Sequence, residues 1–289
     1  MSDNGRIQLY NFPGSVWANA PKLALEEGGL KKDKDVEYIS INLAEGENFE
    51  PHYLRINPAG TVPTLIVGKN SAVAEIVKIA PNHPKGKVSF GSFIIEEIHS
   101  ASIDPNATFL FATDDDDRRE KARGLPKAFL IERQKTLNRQ IVLTRIIRLI
   151  ERPDPKFADF LKKKQADNKQ LLEFYIAEPD EHIRKAHYAQ TKQFWDSVGK
   201  ALRGFVTDTL TKDHGGPFVG GTEPSEVDFH LIAWLARTIT NAGVEPGANP
   251  DEAIKRLQLK TGGGAFDDSI KTYWECWNGR SSFKIADVH

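Results

Sequence analysis

The run Asn57-Pro-Ala-Gly60-Thr-Val-Pro63-Thr-Leu65 carries the strongest chemical signal in the sequence. A proline directly before a β-rich piece, in a chain already turned back by Pro58 and Gly60, marks a fixed turn, and Val62-Pro63 is a candidate cis peptide. That arrangement leaves the N–H and C=O of Val62 to pair with an extended, peptide-like ligand. The plain alternative is an ordinary turn into an edge strand, cis X-Pro being the minority state. Upstream, Tyr10-Asn-Phe-Pro13-Gly-Ser15-Val-Trp17-Ala-Asn19-Ala-Pro21-Lys22 gathers polar side chains between a strand and a helix. Proline is tolerated in a helix only within the first turn, so Pro21 makes Asn19 or Ala20 the expected cap and leaves Ser15 in the preceding loop.

Other polar clusters have plainer readings. Asp114 to Asp117 are followed by Arg118-Arg119-Glu120-Lys121, which is a favourable solvated helix start rather than a metal site. His182 and His187 are five apart, off the i, i+4 spacing of a helical metal pair, and the remaining histidines are scattered. The Gly-rich stretch from His214 to Gly221 lacks the lysine and the strand-to-helix setting of a phosphate loop. Ser225 and Asp228, three apart, fit a capping box and are read as structural. Cys276, the single cysteine, stands among Tyr273, Trp274 and Trp277 and is expected to be a buried structural thiol.

Stepwise along 289 residues, the first 80 alternate in period two at Arg6–Phe12 and Val36–Leu43 and again at Thr64–Val67, with a helix around Lys22–Glu27 between the first two. From Ser71 the pattern turns helical, with Val73, Ile76, Val77 and Ala80 forming a stripe. Pro81 to Gly86 reads as a linker. Beyond it, helix-length segments fall at 88–100, 118–151, 155–175, 180–210, 227–241, 251–259 and 266–277. The expectation is an α/β unit at residues 1–80, a linker at 81–86 and an all-α domain at 87–289. A net charge of -1 gives no global pull toward nucleic acid or an anionic membrane. No apolar run approaches the ~18 residues of a membrane span, and the start lacks signal-peptide character, so a cytoplasmic protein is expected.

Asn57 to Leu65 resembles the Asn-Pro-x-Gly-x-Val-Pro-x-Leu motif of cytosolic glutathione transferases, and it follows β-α-β as in that family. Phe218-Val-Gly-Gly-Thr-Glu-Pro224-Ser225-Glu-Val-Asp228-Phe229 is similar to the segment that opens the central helix of the family's second domain. The resemblance implies a thioredoxin-like N-terminal domain and an all-α C-terminal domain. It further implies that Val62-Pro63 is cis and holds the cysteinyl backbone of glutathione, the co-substrate, with no metal required. A hydrophobic electrophile would occupy a cleft formed with the later helices. A homodimer, a detoxifying role, and no nucleic-acid or membrane partner are implied as well.

A free thiol has a pKa near ~8.5, so a transferase must favour the thiolate; lowering the pKa by ~2 units takes roughly 2.7 kcal/mol. Two or three charge-assisted hydrogen bonds supply that. Ser15 is the first candidate donor, its spacing from Phe12-Pro-Gly and to Leu23-Ala-Leu25 being similar to serine-type plant and theta-like members, while the chain as a whole resembles fungal members. Asn19 is the second, alongside its reading as a helix cap, and Tyr10 the third. Trp17 is expected to border glutathione. A cysteine-type mechanism or a thioredoxin-like reductase finds no thiol before residue 276. One departure stands out: only Gly68-Lys69-Asn70 separates the third strand from the helical stripe, too few residues for a turn and a returning fourth strand. The fourth strand is therefore expected to be missing, or residues to be lacking there, with Ser71 at the carboxylate-binding place. A genuine loss would favour a competing reading, a transferase-like binding protein without turnover.

Overall fold

The computed structural model describes residues 7–66, 72–73, 88–147, 155–245 and 248–288. Its contacts divide into two units: Met1–Pro13, Tyr38–Ala72 and Leu110–Ala189 make the first, and Gly14–Glu37, Val73–Phe109 and Gln190–His289 the second. Each unit draws on both the β-rich start and the helical remainder. The expected linker at 81–86 lies outside the described residues.

Strands β1 (Ile7–Asn11), β2 (Val36–Ser40), β3 (Thr64–Ile66) and β4 (Ala72–Val73) form one sheet in the order β2-β1-β3-β4. β1 is antiparallel to β3, with Gln8 opposite Ile66, Leu9 opposite Leu65 and Tyr10 opposite Thr64. The missing fourth strand is thus corrected. Five residues, 67–71, separate β3 from β4, and two residues at an edge suffice to pair, so Val73 serves a strand instead of opening the helical stripe. The rest of that stripe lies outside the described residues.

Helices α1 (Asn19–Glu27), α2 (Pro51–Ile56), α3 (Val88–Ile98), α4 (Asn106–Leu110), α5 (Asp115–Arg123), α6 (Leu125–Ile147) and α7 (Pro155–Ile176) come first. They are followed by α8 (Glu181–Ala201), α9 (Thr207–Leu210), α10 (Glu226–Asn241), α11 (Pro250–Lys260), α12 (Asp268–Gly279) and α13 (Ser281–Ile285). The stretch expected as one helix from Arg118 is two. Gly124 adopts extended angles (φ -103°, ψ -162°), which lets Pro126 fall in the first turn of α6, where its missing N–H is harmless. Similarly α8 passes into a π-type turn at Leu202–Val206, broken at Gly204, before α9.

In the first unit, α6 and α7 run antiparallel, and Asn168 on α7 donates to the Leu130 carbonyl (2.9 Å) and to Gln134 (2.8 Å) on α6. The acid run is a helix start: Asp114 accepts from the backbone N–H groups of Asp116 and Asp117 (3.0 and 2.9 Å). His187 stacks on Phe174 (3.9 Å) and accepts the Ala112 N–H at Nε2 (3.1 Å), a bond that needs a neutral ring. Burial and the nearby Lys121 push its pKa down to about 4.

In the second unit α10 is buried nearly throughout, with Phe229, Leu231, Ile232, Trp234 and Leu235 inaccessible to solvent. The capping box expected at its start is present and extended. Asp228 accepts from Ser225 N–H and hydroxyl (both 2.8 Å), from Val219 and Gly220 N–H (both 2.9 Å), and from the Tyr273 hydroxyl (3.1 Å). Burial pushes its carboxyl pKa up, and the donors from Ser225, Val219 and Gly220 oppose that shift. Cys276 is half-buried against this core rather than sealed within it, because it stands one position off the buried face carrying Tyr273 and Trp277.

Asp228→Ala strands three backbone N–H groups, so urea unfolding should show a loss of about 3 kcal/mol or more, whereas Asp228→Asn, which keeps an acceptor, should lose less. His187 releases its proton in the native state at about 4 but at an ordinary 6.5 when unfolded. The unfolded state therefore binds more protons between those values, and stability should decline as pH falls from about 6.5 to about 4. Urea midpoints for His187→Gln against the parent across that window should show a shallower decline in the variant.

Candidate functional site

In the first unit the Val62-Pro63 peptide is cis. The turn that presents it is held from below. Asn57 donates to the Thr61 carbonyl (2.8 Å), to the Thr61 hydroxyl (3.2 Å) and to the Thr64 hydroxyl (2.9 Å), while its oxygen accepts the Ala59 N–H (3.0 Å). Tyr53 donates to the Thr61 carbonyl at 2.5 Å and lies 2.9 Å from the Thr64 hydroxyl. Gly60 has φ +60°, and a Cβ there would meet the Asn48 carbonyl and Leu54 at 3.2 Å, so the turn needs glycine for both angle and space. Asn48 closes it by donating to the Gly60 carbonyl (2.7 Å). Val62 is buried, and among the described residues its N–H and C=O make no hydrogen bond. Tyr10 packs beside Tyr53 (5.9 Å between rings) in a cluster with Ile41 and Val62, which accounts for it as core.

In the second unit Ser15 precedes a single 3-10 turn, Val16–Ala18, that leads into α1. Its carbonyl accepts the Ala18 N–H (3.2 Å), and the side chain is buried with no hydrogen bond among the described residues. The N-cap position of α1 falls on Ala18, so the expected cap at Asn19 or Ala20 is corrected: the 3-10 turn supplies the helix entry and Asn19 is already helical. Asn19 is 1% exposed; its oxygen accepts from Lys22 Nζ (3.3 Å) and its Nδ2 has no partner. Lys22 also donates to the Ala286 carbonyl (3.4 Å), and burial lowers its pKa against the opposing charge of Asp287.

Trp17 stacks on His99, the residue after α3 (3.7 Å, 22°), and His99 Nε2 lies 2.9 Å from His230 Nδ1 on α10. Burial pushes both imidazoles down, His230 to about 3 with help from its neighbour, so one ring donates and the other accepts. On the same face of α10, Arg237 donates to the Gly14 carbonyl (3.0 Å). The loop bearing Ser15 is thus pinned at Gly14 and at Trp17. Sequence reading dismissed these histidines as scattered; the i, i+4, i+7 row His230, Trp234, Arg237 was visible, but a partner 131 residues away was not. Ser71 lies outside the described residues. Ser15, Trp17 and Asn19 belong to the second unit and Val62 and Pro63 to the first.

Residues 5–77 match the family described as Glutathione S-transferase, N-terminal domain. The matched stretch is similar to such a domain. It includes both Ser15 and Val62-Pro63. Glutathione S-transferase Z1 of Arabidopsis thaliana is 34% identical over 90 residues, 29% of this chain and 39% of that protein. A tetrachloro-p-hydroquinone reductive dehalogenase of Sphingobium chlorophenolicum is 44% identical over 62 residues, 22% of this chain and 24% of the relative. The chain therefore spans well under half the length of these curated relatives. The crystal structure of poplar glutathione transferase F1 aligns over 97% of this chain and 96% of that one at 14% identity, with a TM-score of 0.50. The fold is that of glutathione transferases, a thioredoxin-like mixed sheet with a predominantly helical C-terminal region.

Among the described residues no three His, Cys, Asp or Glu side chains are placed to hold a metal ion, and no helix is long and apolar enough to cross a membrane. The N-terminal domain depends on Asn57 as a side-chain substitute for backbone pairing. Asn57→Ala leaves the turn without the side-chain amide that donates to Thr61 and Thr64 and accepts from Ala59, and urea unfolding should show a loss of about 2 kcal/mol.

Proposed function

We propose that the protein is a serine-type glutathione transferase in which the thiolate of bound glutathione attacks a hydrophobic electrophile. The observation that carries this reading is the match of residues 5–77 to the transferase N-terminal domain, which takes in Ser15 and the cis Val62-Pro63 turn together. The N–H and C=O of Val62, unpaired among the described residues, suit the cysteinyl backbone of a tripeptide, which offers one acceptor and one donor in extended form. The hydroxyl of the largely buried Ser15, without a partner among the described residues, is a donor available to a thiolate. Trp17 and Asn19 border the same ligand, the unpartnered Asn19 Nδ2 being a second donor, and Ser71 serves the γ-glutamyl carboxylate. Functionally, residues 1–80 hold glutathione, 81–86 link, and 87–289 supply the apolar acceptor site. Glutathione is a co-substrate and no metal takes part. A homodimer acting in the cytoplasm on small hydrophobic toxicants completes the reading, with neither nucleic acid nor membrane as partner.

One observation favours a second reading, a transferase-like binding protein. β4 has two residues and follows β3 after only five, a short frame for the γ-glutamyl anchor.

Conjugation of chlorodinitrobenzene separates the two. The wild-type chain should turn over, and Ser15→Ala should lower kcat/KM by about 10- to 100-fold, the worth of one charge-assisted hydrogen bond to the thiolate. An unchanged rate in Ser15→Ala would remove Ser15 from its role, and no turnover by the wild-type chain would favour the binding protein.

A further inference from the structure

Two side chains of α10 reach the segment that carries Ser15, and they reach it on opposite sides of that residue. Arg237 donates to the Gly14 carbonyl (3.0 Å), and His230 Nδ1 lies 2.9 Å from Nε2 of His99, whose ring is stacked on Trp17 (3.7 Å, 22°). All of these residues belong to the second unit. His230 and Arg237 are two helical turns apart and so share one face of α10.

The two contacts hold different things. The Gly14 carbonyl shares a peptide plane with the Ser15 N–H, so the Arg237 bond fixes the backbone from which the Ser15 hydroxyl departs. Val16 and Ala18, both inaccessible to solvent, seat the backbone that follows, and the Ala18 N–H closes the turn on the Ser15 carbonyl (3.2 Å).

The histidine contact acts further out, on a side chain. Trp17 is only half-buried between the covered Val16 and Ala18, so the packing that seats the backbone leaves its indole free to turn among rotamers. Stacking on His99 removes that freedom. His99 is held in turn by a hydrogen bond between two neutral imidazoles, one donating and the other accepting. His99 stands just after α3 and stays partly open to solvent, so its ring covers little apolar surface and folding gains little from it. Holding Trp17 is the better account of the pair.

We propose that α10 positions two parts of the glutathione site separately: the His230–His99 pair sets the indole of Trp17, which bounds the tripeptide, and Arg237 sets the backbone of Ser15, which meets the sulfur. This rests on the transferase reading above. Each of the three is a positioning residue that acts through Trp17 or Ser15. Loss of the histidine pair costs affinity for a glutathione-like tripeptide with or without a free thiol, whereas loss of Arg237 costs the preference for thiolate over thiol.

Two readouts on the full chain separate these effects. Calorimetric titration with S-methylglutathione, which has no thiol to ionise, reads affinity for the tripeptide, and ultraviolet titration of the glutathione complex reads its thiol. His99→Ala should weaken S-methylglutathione binding by about 10-fold and leave the thiol pKa within about 0.3 units of the parent. His99→Phe, which keeps a ring against Trp17, should recover binding to within about 3-fold. His230→Leu should weaken binding in the same direction, and adding it to His99→Ala should weaken it no further, because the pair acts as one relay. Arg237→Met should raise the thiol pKa by about 1 unit with S-methylglutathione binding within about 3-fold, and Arg237→Lys, which keeps a donor, should lie closer to the parent.

Melting temperatures check that each variant folds. Where His99→Ala or Arg237→Met does not fold, His230→Leu and Arg237→Lys carry the same comparison at smaller amplitude. Affinity and thiol pKa that move together with Tm in every variant would make the contacts merely structural and overturn the proposal, as would both readouts unchanged. A wild-type chain that binds no S-methylglutathione, or whose bound glutathione titrates near the free ~8.5, fails the transferase reading and the proposal with it. A wild-type chain that passes both, with variants that do not divide in this way, fails the proposal alone.

Discussion

A single buried carboxylate organises the second unit. Asp228 has no exposed surface, yet it collects two backbone N–H groups from the Phe218–Gly220 loop, two donors from Ser225 and the Tyr273 hydroxyl from α12. Removing a carboxylate from water is costly unless its oxygens are fully engaged, and here the engagement ties a loop, a helix start and a second helix to one point. The helix it starts, α10, is the element against which α1, α3 and the 3-10 turn after Ser15 pack. Through His230 and Arg237 the same helix reaches the loop from Gly14 to Trp17. The position of Ser15 is thus inherited from a capping interaction far from it in sequence.

The first unit uses the same device at smaller scale. Asn57 and Tyr53 stand in for missing backbone partners around the Thr61–Thr64 turn, so the turn is held by side chains while Val62, among the described residues, keeps an unpaired backbone. In both units polar side chains below a loop satisfy backbone groups of that loop. Preorganisation of this kind matters because favouring a thiolate takes only roughly 2.7 kcal/mol, an amount that a donor displaced by a fraction of an ångström would forfeit.

Local features were legible in the sequence because their causes are local. The turn at Val62-Pro63, the capping box Ser225–Asp228 and the solvated acid run at Asp114 each follow from residues within a few positions of one another. The break at Gly124 was legible in principle, since Pro126 demands a helix start nearby, but apolar periodicity on both sides concealed it. β4 was missed because a two-residue edge strand has no periodicity of its own. Asn19 was misplaced because a 3-10 turn ahead of α1 changes which residue is the cap. The histidine pair and the grouping of β1 with helices beyond residue 110 depend on contacts between distant segments, and no single-sequence pattern encodes those.

The claim that most needs a direct measurement is that the chain favours the thiolate of bound glutathione through Ser15. Ultraviolet difference titration of the glutathione complex reads the thiolate itself and needs no second substrate. A pKa about 2 units below the ~8.5 of a free thiol, moving back toward that value in Ser15→Ala, is the result this account predicts. A bound thiol that titrates near ~8.5 in the wild-type chain, or a lowered value that Ser15→Ala leaves in place, would contradict it.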